Sequence, residues 1–172
     1  MDEILDVVDE NDNVLGQKTR TEVEAKGLRY RAAEIIVIVD GKILIEKRAS
    51  TKPKRPGYYS VVSETMKSGE SYERAAVRGV KEETGLDAKG LKKIGKTIIK
   101  DKTANDLYIM TAFICEGKGK IKMQKEEVDE IQLLSLNEIE ALINSGKKVT
   151  HALVECMKLY KAYKGVVNSR VV

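Results

Sequence analysis

Two cysteines, two prolines, one phenylalanine, one histidine and no tryptophan are all that the 172 residues hold of five types that often carry structure or chemistry. Cys115 and Cys156 stand far apart and form no CxxC pair, so they read as two reduced thiols rather than a disulfide or a zinc site. Pro53 and Pro56 fall in one short basic segment. With no Pro/Gly/Ser-rich linker, repeat or low-complexity tract, the expected organisation is one domain over residues 1–172. The longest apolar run, Ile35 to Val39, is far too short to span a bilayer. Met1-Asp2-Glu3 is acidic where a secretory signal is basic, so the expected location is cytoplasmic, with no membrane partner. Charge of one sign is also missing: 31 Lys/Arg are interspersed with 27 Asp/Glu for a formal net charge of +4. That is not the basic stripe of a protein that binds a nucleic acid polymer, whereas phosphorylated small molecules stay open. What the chain does have is 42% hydrophobic and 34% charged residues, enough to bury a core under a charged surface.

The pattern predicts a strand over Ile4–Val8, a turn at Asp9–Asn13, a strand from Val14 and a helical turn over Thr21–Lys26. Ala33–Val39 and Lys42–Glu46 flank Asp40-Gly41, a dipeptide whose tolerance of positive φ is a strong hairpin signal. Tyr58–Val62 reads as a further strand, and Ser71 as the start of a helix that stops at Gly85. Lys92–Lys100 and Leu107–Glu116 read as strands joined by a turn at Thr103–Asp106. A last strand, Ile131–Leu134, leads to Asn137 as cap of a helix through Ile143, and Thr150 opens a final helix, about 150–164. Val166–Val172 shows no clear periodicity and is expected to be mobile. The class is α/β, a layered sandwich with a mixed sheet.

Chemistry concentrates between residues 57 and 86. Positions 79, 82 and 83 share one helix face, so Glu82 and Glu83 are expected to point the same way. Neighbouring carboxylates repel unless a cation bridges them, and hard oxygen ligands select Mg2+ or Mn2+. Arg78 stands one turn before Glu82 and can reach back to Glu70. An ordinary amphipathic helix with a solvated Arg-Glu face is the alternative for such a pair taken alone.

The full spacing resembles the Nudix box, G-x5-E-x7-R-E-U-x-E-E-x-G-U with U aliphatic: Glu70, Arg78, Val80, Glu82, Glu83, Gly85 and Leu86 match, seven of nine specified positions within about 64–86. Glu64 stands at the first glycine and Gly79 at the glutamate after the arginine. The opening LDVVDENDNVLGQKTRTEVEAKGLRYRA, the segment KRASTKPKRPGYYSV and the later EEVDEIQLLSLNEIEALI resemble the Nudix branch that includes isopentenyl-diphosphate isomerase, covering roughly residues 3 to 145.

The resemblance implies a Nudix-type α/β/α sandwich with a central mixed β-sheet and Mg2+-dependent (or Mn2+-dependent) hydrolysis of a diphosphate linked to a nucleoside or related small molecule. Carried over by position, Glu82 and Glu83 are metal ligands, Glu70 an outer or additional ligand, and Arg78 the orienting residue. Glu127, or failing it Glu126 or Glu130, stands where relatives supply a further catalytic carboxylate. Among the basic residues Lys47, Arg48, Lys52, Lys54 and Arg55, the positions of Arg48 and Lys52 match diphosphate contacts of the isomerase branch; a solvated basic loop is the alternative. Gly79 leaves the site one carboxylate short, Glu64 is a candidate replacement, and on this reading Gly79→Glu strengthens metal binding.

Isomerase chemistry is disfavoured, because Ser63 stands at its cysteine position, Thr65 and Tyr30 stand at its histidine positions, and the sole histidine, His151, lies in the last helix. A degenerate domain that binds a nucleotide or a protein partner without turnover is the reading from a different class. Tyr58 and Tyr108 are the candidates for base stacking, and a homodimer through Leu107–Cys115 or the last helix remains open.

Overall fold

The fold was obtained as a computed structural model and is described for residues 1–169. β1 (Ile4–Val8) and β2 (Val14–Thr19) form a two-stranded antiparallel ribbon. α1 (Arg20–Lys26) follows it, with Thr19 as N-cap and Gly27 as left-handed C-cap. β3 (Tyr30–Val39) and β4 (Lys42–Arg48) meet through Asp40-Gly41, whose φ values of 48° and 76° give the two positive-φ residues that a tight hairpin requires.

The expected strand at Tyr58–Val62 is divided into β5 (Tyr59–Ser60), which pairs with β4, and β6 (Val62–Thr65), which pairs with β3. α2 (Tyr72–Thr84) comes next, then β7 (Asp87–Asp101) and β8 (Asp106–Lys118), β9 (Val128–Leu134), α3 (Leu136–Asn144) and α4 (His151–Ser169). The main sheet runs β5-β4-β3-β8-β7, with β6 on β3 and β9 on β4. β3 and β8 pair in parallel and the other strand pairs are antiparallel, so the sheet is mixed as expected.

Alternation along the strands builds two cores. On β3, Ala33, Ile35 and Val37 face α2 residues Ala75, Ala76 and Val80, together with Leu44 and Phe113. Ala32 and Ile36 face the other way, toward Val23 of α1, Ile139 of α3 and Leu153, Cys156 and Met157 of α4. Helices therefore cover both faces. The inner residues of β8 and the apolar stripe of α4 lie in these cores, and both cysteines are buried free thiols. No helix among the described residues is long and apolar enough to cross a membrane.

Several element ends differ from expectation. Ser135, not Asn137, caps α3: its hydroxyl accepts from Glu138 N at 3.2 Å while the Glu138 carboxylate accepts from Ser135 N at 2.7 Å. This reciprocal box outranks a lone asparagine. β7 and β8 are longer than predicted, because Lys89, Lys92, Lys93, Lys96 and Lys100 of β7 give the edge strand a polar surface that hides its periodicity. β9 begins at Val128 rather than Ile131, paired with Arg48 across a register shift. α4 continues past the expected end near 164, through Val166 to Ser169, and residues 170–172 of the expected mobile tail lie outside the described residues.

Glu34, at the centre of β3, has no exposed surface; Ser63 donates to its Oε1 at 2.8 Å and its Oε2 has no partner. Burial pushes this carboxyl from 4.5 up to about 8. Between those values the folded chain holds a proton that the unfolded chain releases, so stability is lost as pH rises through that window, by on the order of 3 kcal/mol. Glu34→Gln, a neutral near-isostere, is expected to melt close to the parent at pH 5 and clearly above it at pH 8.5 (on the order of the same 3 kcal/mol). Melting curves at the two pH values check this, and a difference independent of pH contradicts it.

Candidate functional site

α2 is held between two local signals. The Ser71 hydroxyl accepts from Arg74 N at 3.2 Å at the start, and Gly85 ends the helix at φ 75°, donating to Lys81 O. Its buried face is Ala75, Ala76, Gly79 and Val80, small residues that let the helix lie close to the sheet. Position 83 continues this face, whereas position 82 is turned about 100° away. Glu82 keeps 56% of its side chain exposed, and Glu83 is half-buried. The two acids thus share the cleft but not one direction, which refines the expectation that they point the same way.

The cleft has a volume of about 260 Å³. Its lining brings Glu64, Arg78, Glu82, Glu83 and Glu127 together with Arg48, Lys52, Lys54 and Arg55. It also includes Glu46 of β4, which the sequence did not single out. Glu46 is 3% exposed and its Oε1 has no hydrogen-bond partner. Glu83 lies close enough to Glu46 for the two carboxyls to share a proton. Burial, and then the mutual repulsion of the two charges, holds Glu83 well above the usual carboxylate range. Burial raises Glu46 as well. The available signal for Glu46 was an acid breaking the apolar run Ile43-Leu44-Ile45 of a core strand.

Arg78 organises the second group of acids. Its Nε donates to Glu70 Oε1 at 3.0 Å and its Nη2 to Glu70 Oε2 at 2.9 Å, a two-pronged pair. Nη2 also donates to the Thr65 carbonyl at 3.0 Å, while Nη1 meets Glu64 at 2.9 Å and Glu82 at 3.5 Å. Burial opposes ionisation of Glu70, yet the Arg78 hydrogen bonds prevail and hold its carboxyl below 4.5. Glu64 goes the other way: burial pushes it up to about 7 against the pull of Arg78. Glu70 itself is not part of the cleft lining; it anchors Arg78 from behind.

On the basic side, Lys52 pairs with Glu127 across the cleft. Glu127 is the one of the three alternatives that reaches the cleft; Glu126 and Glu130 do not line it. Arg48 Nη2 donates to the Lys54 carbonyl at 3.1 Å and so braces the loop. Arg55 is committed to the β7–β8 turn, donating to Asp101 at 3.0 Å and Asp106 at 2.6 Å, and Lys54 meets Asp106 at 3.4 Å. Lys47 lies over the Tyr59 ring and outside the cleft. Tyr58 is also outside it, and Tyr108 lines it but is 4% exposed and stacked on Tyr30. Ser63 and Tyr30 donate to Glu34 and Asp106, and His151 is exposed at the start of α4.

Donors in the cleft are carboxylate oxygens in excess, with an orphaned buried oxygen on Glu46, which suits a hard divalent cation and no soft one. Among the described residues no three acidic, histidine or cysteine side chains already converge on one point. Arg78 holds Glu64 and Glu82, while Glu46 and Glu83 stand side by side.

Comparison with known proteins agrees with this architecture. The NUDIX domain family matches residues 29–153. An uncharacterized Nudix hydrolase of Streptomyces coelicolor is 31% identical over 166 residues, 95% of this chain and 91% of its own length. Isopentenyl-diphosphate Delta-isomerase 2 of Photorhabdus laumondii is 32% identical over 154 residues, 87% of this chain and 86% of its own. A Deinococcus radiodurans crystal structure superposes with a TM-score of 0.75 at 21% identity, over 91% of this chain and 98% of that one. With the box helix, the mixed sheet and relatives spanning nearly its whole length in agreement, the chain belongs to the Nudix family.

Proposed function

We propose that this protein hydrolyses a diphosphate linkage in a nucleoside diphosphate derivative or a related small molecule, with Mg2+ or Mn2+ held by Glu82 and Glu83. The observation that carries this reading is the single cleft in which Glu46, Glu64, Glu82 and Glu83 face Arg48 and Lys52. A divalent ion held there would neutralise charge on the diphosphate and help activate the attacking water. Glu82 and Glu83 would hold the ion as carboxylates, Glu83 giving up the proton that burial and the charge of Glu46 favour on it. Lys52 and Arg48 bind the phosphate oxygens, Lys52 leaving Glu127 to do so. Glu127, freed of its partner, accepts a proton from the attacking water. Arg78 keeps Glu70 and Glu82 in place throughout.

The test is a phosphate-release screen over nucleoside diphosphate sugars, dinucleoside polyphosphates and nucleoside triphosphates with either metal. Turnover that a chelator abolishes supports the hydrolase; tight binding without turnover of any of them overturns it in favour of a sensor. One solved Nudix domain of similar fold, from Shewanella oneidensis, is complexed with ADP ribose, so that nucleotide belongs in the screen. Lys52→Met is expected to raise KM about tenfold or more while leaving kcat less affected, since it removes a charge-assisted phosphate contact of roughly 1.5–3 kcal/mol. Steady-state kinetics on the best substrate check this, and an unchanged KM contradicts the assignment of Lys52.

The isomerase reading lacks its groups here. Ser63 stands in place of the thiol and donates a hydrogen bond to Glu34, and the Tyr30 hydroxyl donates one to Asp106.

A further inference from the structure

Gly79 and Glu64 are the two positions at which the chain leaves the family motif, and the fold puts them against each other. A Cβ at position 79 would stand 2.7 Å from the Glu64 Cβ, 3.2 Å from its Cγ and 3.3 Å from its Oε2. Carbon atoms in contact settle at about 3.5–4.0 Å. The nearest atom is the fixed Cβ of Glu64 and not its mobile end, so no rotation relieves the conflict. The stem of Glu64 therefore fills the space that a side chain at 79 would use.

The motif has glycine where Glu64 stands and glutamate where Gly79 stands. In this chain the carboxylate stem between β6 and α2 comes from the strand, in the space that a side chain on the helix at position 79 would take. Glu64 opens into the same cleft as Glu82, Glu83 and Glu127, its side chain 15% exposed and its Oε1 2.9 Å from Arg78 Nη1. Arg78, the positive group that pairs with Glu64, is shared with Glu70 and Glu82, so this mostly buried acid has only part of a counter-charge.

We propose that Glu64 supplies from β6 the carboxylate that α2 lacks, as a ligand of the divalent ion in the cleft, and that glycine at position 79 is what admits it. The inference rests on the metal-dependent hydrolase reading above. It also reverses the expectation for Gly79→Glu: alone, that change collides with Glu64 rather than strengthening the site.

The test is a substitution cycle read by Mn2+ binding in calorimetry and by melting of the metal-free protein. Glu64→Gln keeps an acceptor for Arg78 and the same shape, and is expected to weaken Mn2+ binding by about tenfold or more. Glu64→Gly weakens it similarly, and Glu64→Gly combined with Gly79→Glu returns it to within about threefold of the parent. Gly79→Ala supplies a steric readout that needs no metal: it lowers the melting temperature when Glu64 is present and raises it in the Glu64→Gly background. Unchanged Mn2+ affinity in Glu64→Gln, or a double variant no better than Glu64→Gly, overturns the inference while the hydrolase reading stands. A parent protein that binds no Mn2+ at millimolar concentration overturns both.

Discussion

Glu83→Gln is expected to lower diphosphate hydrolysis at least about a hundredfold, the upper end of what outer partners of a metal site cost, while the metal-free protein melts no lower than the parent. The two halves of this result have one cause. Glu83 and Glu46 are forced together at the cleft wall, where burial raises both carboxyls and the charge of Glu46 raises Glu83 further. Without an ion, the charged pair is a liability that glutamine removes; with an ion, the same pair is the attraction that holds it. Phosphate release and melting curves without metal read the two halves separately. Hydrolysis that survives the substitution removes Glu83 from the site, and a marked fall in metal-free melting makes it a structural residue instead.

Arg78→Met is expected to have the largest effect on stability. Its guanidinium is 19% exposed and serves Glu64 and Glu70, whose side chains are 15% and 13% exposed, as well as the Thr65 carbonyl. Removing it leaves two mostly buried carboxylates without a counter-charge, a loss of about 3–5 kcal/mol. For a chain of this size that lowers the melting temperature by roughly 6–20 °C. Arg78→Lys recovers less than half of this, because one ammonium cannot reproduce the paired contacts to Glu70 at 3.0 and 2.9 Å together with the carbonyl bond. Thermal denaturation checks both variants, and Arg78→Met melting within a degree or so of the parent contradicts the organising role given to Arg78.

The parts of this protein that were legible in its sequence are those whose signal is local. Ser71 and Gly85 bracket α2, and the box spacing lies on that helix and the turn before it, so the helix and its acids were readable from residues within a few turns of each other. Asp40-Gly41 announced its hairpin for the same reason. The α/β/α layering followed from strand alternation and the family resemblance, and the fold agrees with it.

What was not legible depends on contacts between distant segments. Glu46 reaches Glu83 only because β4 lies beside β3 in the sheet that α2 covers, and its sequence signal, one acid at an inward strand position, also fits a structural residue such as Glu34. Arg55 read as one more basic residue of the loop that carries Arg48 and Lys52, yet Asp101 and Asp106 of the β7–β8 turn claim it. Glu64 and Gly79 read as two separate losses with a candidate replacement. The overlap of their side-chain volumes makes them one exchange, and only the packing of β6 on α2 shows it. A mid-helix glycine costs up to about 1 kcal/mol against alanine, and that overlap gives a physical reason for retaining it.

The central claim, that Glu82 and Glu83 of α2 hold the ion that grips the diphosphate, is tested most directly by diffraction from crystals soaked in Mn2+. The account predicts an anomalous peak in the cleft within bonding distance of both carboxylates, with Glu82 swung away from Arg78. A cleft without such a peak, with Glu82 still on Arg78 and Glu83 still on Glu46, would contradict it.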